Sequence, residues 1–230
     1  MNKHSALHRV VVDSICTLGK GCTDGSMASD HAQKLFGELI GLVYRLLCLA
    51  STDEIQKIRP ISSWNDLETY LSSYCSSMND HAARRLWGTV TFPILRTYGC
   101  RNAALHKVVQ DIVRFVQNES ICPQELGWIY EDLLSYQAVI QSGLFSLQRT
   151  EQSHQKRTGA HYTPKELVEC VVQQTLVPVL ECSASEDILS IRVCDPSCGS
   201  GLFLLEAAST IASKLHQEIE ESICDVIRAC

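Results

Sequence analysis

Apolar positions recur at helical spacing through most of the first 150 residues. Leu7, Val10, Val11, Ile15 and Leu18 share one face, and Gly19 with Gly21 should close that helix. After a loop at 22–26, Leu35, Leu39, Leu42, Val43, Leu46 and Leu49 predict a longer one. Ser51, with Glu54 three positions on, reads as a capping box for a short helix that Pro60 ends. Trp64 to Tyr74 carries another short pattern. Leu105, Val108, Val109, Ile112, Val113 and Val116 predict a helix over 102–116. Pro123 suits the first position of a further helix, 124–141. The aperiodic polar run QRTEQSHQKR, 148–157, then reads as a linker. Beyond it, Leu167, Val168, Val171, Val172, Leu176, Val179 and Leu180 form the stripe of a helix over 164–180. Thr163 should cap that helix, Pro164 fits its first turn, and Pro178 marks a kink or the last turn.

The pattern changes after Glu186. Ile188, Leu189, Ile191 and Val193 form a short apolar run that predicts a buried strand over 188–194. A tight turn follows, Asp195-Pro196-Ser197-Cys198-Gly199-Ser200-Gly201, and then a helical pattern over 200–217. A strand feeding a helix through Gly-x-Gly is the opening of a nucleotide-type α/β fold. The expected organisation is therefore a helical region, 1–150, followed by an α/β segment, 151–230. Glycine at 199 and 201 lets the backbone turn sharply and admits a ligand where a Cβ would collide. The free N–H groups of the next helix can face a polar ligand group, and Asp195 can accept hydrogen bonds from it. Leu204 stands where the dinucleotide fingerprint needs its third glycine, which argues against NAD, and no Gly-Lys-Ser/Thr follows to make a P-loop.

The run DPSCGSGLFLLEA resembles the S-adenosylmethionine (SAM) motif of amino-group methyltransferases. Upstream, Thr158-Gly-Ala-His-Tyr-Thr-Pro164 resembles the second SAM-contacting motif of adenine-specific DNA methyltransferases. Their order is similar to the gamma arrangement of type I modification subunits and type IIG restriction–modification enzymes. Glu125-Leu-Gly-Trp-Ile-Tyr-Glu-Asp-Leu-Leu134 resembles a helix that precedes those motifs in such enzymes; by itself, core packing accounts for Trp128, Tyr130, Leu133 and Leu134. The resemblance implies a Rossmann-like, SAM-dependent fold, of which this chain carries the first strand, turn and helix. It implies SAM contacts at Tyr162, Thr163, Pro164, Asp195, Pro196, Cys198, Gly199 and Gly201. It further implies double-stranded DNA as substrate and restriction or specificity subunits as partners; a cytoplasmic setting is expected from the scattered, reduced thiols. Cys198 would be a small packed residue rather than a nucleophile, and Cys194 a core residue.

Composition adds limits. The chain has 230 residues, 45% of them hydrophobic, and a net charge of −6, so charge gives no support for a nucleic-acid-binding surface. The DNA inference rests on the motifs. The most basic neighbourhood is Arg149, His154, Lys156, Arg157, His161 and Lys165, which a solvated connection explains; a phosphate or SAM-carboxylate contact is the sharper reading. Twelve cysteines stand singly with no Cys-x-x-Cys, so no metal site is expected and reduced, buried thiols are. The apolar stretch Leu39 to Ala50 contains Arg45 and is too short to span a bilayer.

Catalysis needs more than SAM. The resembled enzymes hold the flipped adenine's amine against an Asn/Asp-Pro-Pro-Tyr/Phe loop. Here the prolines at 60, 93, 123, 164, 178 and 196 never stand adjacent, so no catalytic residue is assigned, and neither is an acidic ribose ligand. The expectation is the front part of a larger enzyme that methylates nothing alone. None of the eight lysines follows an acidic residue by two, which excludes a PD-(D/E)xK nuclease from this segment. Two other readings remain open: an RNA guanine-N2 methyltransferase fragment, and a non-catalytic helical interaction module with a vestigial SAM half-site. The wording of 158–164 favours DNA.

Overall fold

The computed structural model describes residues 3–23, 27–52, 54–77, 92–121, 123–149, 163–183 and 185–229. The chain divides into two compact units, 1–122 with 135–153, and 123–134 with 154–230.

The first unit is built on α1 (Lys3–Cys22), α2 (Ala32–Ala50) and α6 (Asn102–Asn118). Between them lie α3 (Ile55–Ile58), α4 (Trp64–Ser77) and α5 (Pro93–Tyr98). The stripe Leu7, Val11, Ile15 and Leu18 of α1 is buried, and α1 packs on both α2 and α6. Leu35, Leu39, Leu42, Val43 and Leu46 bury the facing side of α2, and Leu105, Val108, Val109 and Ile112 that of α6. These helices follow the apolar spacing because burying that stripe, rather than intrinsic propensity, holds a helix of this length. Glu38 is a charged side chain inside this packing, 9% exposed. Its two carboxylate oxygens accept the backbone N–H groups of Ile94 and Leu95, each at 2.9 Å. They thereby satisfy first-turn donors of α5, which no cap residue of its own serves.

Three details depart from the expectations. Gly19 and Gly21 do not end α1, which runs on to Cys22. A Cβ at Gly19 would overlap the Phe145 ring, and one at Gly21 would stand 2.7 Å from the Ala104 Cβ, so both positions serve close approach. Ser51 caps the end of α2 through Leu47 O rather than opening the next helix. The helix that Pro123 begins, α7 (Pro123–Leu133), does not reach Gln141. In its place β1 (Tyr136–Gln141) and β2 (Leu144–Arg149) form an antiparallel hairpin with Tyr136 opposite Arg149 and Gln141 opposite Leu144. Ser142 and Gly143 have φ of 51° and 73°, the paired positive values that a two-residue hairpin turn demands. Ala138, Ile140 and Phe145 are buried, and the strands pack on α1 and α2. Residues 1–150 are thus helical except for this hairpin among the described residues.

The second unit contains α7, α8 (Lys165–Thr175), α9 (Val177–Cys182), α10 (Ser185–Ile188) and α11 (Leu202–Ala229). The expected helix over 164–180 is two helices that break at Leu176, with Pro178 in the first turn of the second. Val172, Leu176, Leu180, Ile188 and Ala207 form the core, with Ile191, Phe203, Ile211 and Leu215 packed against it. The expected strand over 188–194 does not form. Ile188 closes α10, the Ile191 N–H returns to Ile188 O at 3.2 Å, and 191–195 join no ladder among the described residues. A strand is a paired structure, and apolar side chains alone cannot create one. Leu189 and Val193 are correspondingly 79% and 45% exposed. The described sheet is the hairpin of the first unit, and the Rossmann-like arrangement is not seen among these residues.

Glu38→Ala should strip two donors of α5 of a charged acceptor and lower stability by about 2–3 kcal/mol. Urea unfolding measures it; an unchanged midpoint would mean that water replaces the carboxylate at no cost.

Candidate functional site

The turn between residues 195 and 201 leads into α11 in the second unit. The Asp195 Oδ1 accepts the backbone N–H of Ser197 at 3.0 Å, an Asx-type contact that fixes the start of the turn. The Gly201 N–H donates to Cys198 O at 2.7 Å and closes it. The Gly201 carbonyl accepts the Leu205 N–H at 2.9 Å and starts α11. Gly199 and Gly201 have φ of +53° and +81°, where an L side chain is strained. A Cβ built on Gly201 would meet nothing within 4 Å, so the backbone conformation, not crowding within the protein, requires glycine there.

Beside the turn lies a groove of about 530 Å³. Val171, Thr175 and Val179 form one wall, Phe203 and Leu204 of α11 another, and residues 191–196 the rim. It is mainly apolar, with Asp195 as its carboxylate. Asp195 and Pro196 line this groove; Cys198, Gly199 and Gly201 belong to the turn beyond it. Thr163 is half-buried and Pro164 exposed. The cap residue of α8 is Pro164 and not Thr163; no side chain caps that helix, and the Pro164 carbonyl receives the N–H groups of Leu167 and Val168. Tyr162, and with it residues 158–161 and the basic linker 150–157, lies outside the described residues.

The thiols also differ from expectation. Cys194 and Cys198 are both exposed, Cys194 on the groove, so neither is a packed core residue. The reason is the missing strand: Ile191 still packs on the core, but without sheet neighbours among the described residues Val193 and Cys194 are left exposed. Cys16, Cys22, Cys48, Cys75, Cys100, Cys170, Cys182, Cys194 and Cys198 are free thiols, and Cys22 is the buried one among them. No group of three or more His, Cys, Asp or Glu side chains is placed to hold a metal ion among the described residues.

One participant was overlooked in reading the sequence. The Ser200 hydroxyl donates to Glu131 Oε1 at 2.7 Å, which ties the turn to α7 within the same unit. A Cβ on Gly127, one helical turn earlier, would stand 3.1 Å from Leu202 Cδ2 and 3.2 Å from Ser200 Cβ and Oγ. The i, i+4 spacing of Gly127 and Glu131 on one face was the available signal. Ile129 and Leu133 are the buried residues of this helix, while Tyr130, expected in the core, is 39% exposed. Glu131 Oε2 is buried and accepts no hydrogen bond among the described residues, a burial that costs about 1–3 kcal/mol.

The glycine-paired turn with its leading aspartate thus opens a long helix beside the groove. Residues 125–225 match the family model for N-6 DNA methylases, a span that runs from α7 through the turn into α11. The match supports an N6-adenine DNA methyltransferase family for this part of the chain. No solved structure matches the chain.

Gly201→Ala should cost about 1–2 kcal/mol, from strain at positive φ, although its methyl enters open space. Thermal unfolding of the variant tests this; a stability equal to the parent's would show that the turn relaxes freely to negative φ.

Proposed function

We propose that the chain carries the cofactor-binding front of a SAM-dependent DNA methyltransferase acting on adenine N6, of the gamma arrangement, within a restriction–modification system. The match to N-6 DNA methylases over 125–225, with both motif glycines at positive φ inside it, is the observation that carries this reading. In this reading residues 151–230 begin the methyltransferase domain, Rossmann-like in its complete form, and 1–150 precede it.

The residues at the turn suit the group. The open space over Gly201 admits a ligand against bare backbone, and the Asp195 carboxylate presents a negative charge beside the groove. The proposed contacts are Tyr162, Thr163, Pro164, Asp195, Pro196, Cys198, Gly199 and Gly201. Bound SAM would supply an activated methyl on a sulfonium, so the protein's task is to orient it and to hold the acceptor amine. Asp195 would accept hydrogen bonds from the cofactor's polar groups, and Gly199 and Gly201 would let the backbone approach it. DNA would be the substrate, the cytoplasm the setting, and restriction or specificity subunits the partners. Among the described residues no helix is long and apolar enough to cross a membrane.

SAM binding tests the cofactor assignment. The mainly apolar groove offers SAM few polar partners to offset the entropy lost on binding, so the affinity of this chain should be weak. Asp195→Ala and Gly201→Leu should each reduce it a further ten- to hundredfold, about the worth of one charge-assisted hydrogen bond. Saturation-transfer NMR at millimolar SAM can follow this range. Equal binding by parent and both variants would mean that the motif is misread.

The acceptor side yields a second test. The chain contains no Asn/Asp-Pro-Pro-Tyr/Phe run with which to grip a flipped adenine. Incubated with radiolabelled SAM and unmethylated DNA, the 230-residue chain should transfer no label, while an intact N-6 DNA methylase does. Label on adenine would mean that other residues hold the amine.

A further inference from the structure

Two glycines at positive φ make the 199–201 turn geometrically able to meet a ligand, but they do not make it rigid. Glycine has the widest backbone freedom of any residue, and a turn with two of them has many conformations to lose. The bonds from Ser197 to Asp195 and from Gly201 to Cys198 lie inside the turn and shape it without anchoring it to the rest of the unit. The anchor comes from 69 residues away in the chain, where Glu131 Oε1 accepts the Ser200 hydroxyl at 2.7 Å. The same oxygen lies 3.8 Å from where a Gly199 Cβ would be, so it reaches the first glycine of the turn as well as Ser200. Gly127, on the same face of α7, leaves room for Ser200 and Leu202 to close onto the helix. Glu131 Oε2 is enclosed and accepts no hydrogen bond among the described residues, so Ser200 is this carboxylate's visible partner there.

We propose that Glu131 is a positioning residue for the cofactor turn. Its hydrogen bond to Ser200 holds Gly199 and Gly201 in the conformation that presents bare backbone to the methionine end of SAM. The assignment rests on reading the turn as a cofactor loop, but the positioning itself is a property of the free protein. Ser200, between the glycines, is then the handle by which α7 grips the loop, and Gly127 is small so that the grip can close. Side-chain length matters: Glu131→Asp would withdraw the oxygen by one methylene and release Ser200.

Hydrogen exchange of the intact chain, read by mass spectrometry on peptides covering 195–203, separates the two levels. Exchange there should quicken about ten- to hundredfold in Glu131→Ala and in Ser200→Ala, the factor one charge-assisted hydrogen bond commands. The double variant should be no faster than either single one, since both remove the same bond. Glu131→Gln keeps an acceptor oxygen at the same reach and should exchange near the parent rate. Peptides from Lys165–Thr175 should be unaffected in every variant. Unchanged exchange at 195–203 in both alanine variants, or additive effects in the double, would overturn the proposal. Should Glu131→Ala fail to fold, Ser200→Ala against Glu131→Gln makes the same decision. SAM binding measured on the same proteins tests the cofactor reading separately. A parent chain with no SAM binding removes that reading, and the exchange comparison still decides whether Glu131 positions the turn.

Discussion

The turn at 195–201 is governed by a backbone requirement: φ must be positive at two positions with a single residue between them. L side chains resist that region by roughly 1–2 kcal/mol per residue, so glycine is dictated at both. The rest of the second unit can be understood from there. Asp195 shapes the entry to the turn, the Gly201 carbonyl begins the first helical turn of α11, and Leu202 and Ala207 sink into the unit's packing behind it. Flexibility in the glycines makes close approach feasible and also makes an external restraint necessary. The contact between Ser200 and Glu131 supplies one, and it encloses a second carboxylate oxygen that accepts no hydrogen bond among the described residues.

The first unit solves a different problem, that of satisfying a short helix. The N-terminal donors of α5 are met by Glu38 from α2, across 56 and 57 residues of sequence. Two charge-assisted bonds make a buried carboxylate tolerable there, where an unpaired one would be expelled. Glu38 and Glu131 are thus contrasting cases. The first is satisfied at both oxygens and locks structure, while the second is satisfied at one and sits by the turn.

Much of the site was readable in the chain as written. Asp195, Gly199 and Gly201 announced themselves because turn chemistry is local: the aspartate binds an N–H two residues on, and the glycines answer to their own φ. The partnership of Glu131 with Ser200 was not readable: the i, i+4 spacing of Gly127 and Glu131 marks one face of the helix but not what closes on it. The exposure of Cys194 was missed for the same kind of reason. Whether residues 191–195 are covered depends on neighbouring strands, and no property of Val193 or Cys194 specifies where those come from.

Local periodicity determined α1, α2, α4, α6 and α11, because a helix is bonded within itself and its buried face repeats every three or four residues. The proline at 178 likewise decided the break between α8 and α9 on its own. The tertiary structure decided what needs a partner. Gln124 to Gln141 could be written as one helix until Phe145 found its place against Gly19 and drew Tyr136–Gln141 into a hairpin. Ile188 to Cys194 has the composition of a buried strand and forms none among the described residues, because ladder hydrogen bonds require a second chain segment alongside. Helices are a property of a stretch of sequence; strands, and the acceptor that steadies a glycine turn, are properties of two stretches brought together.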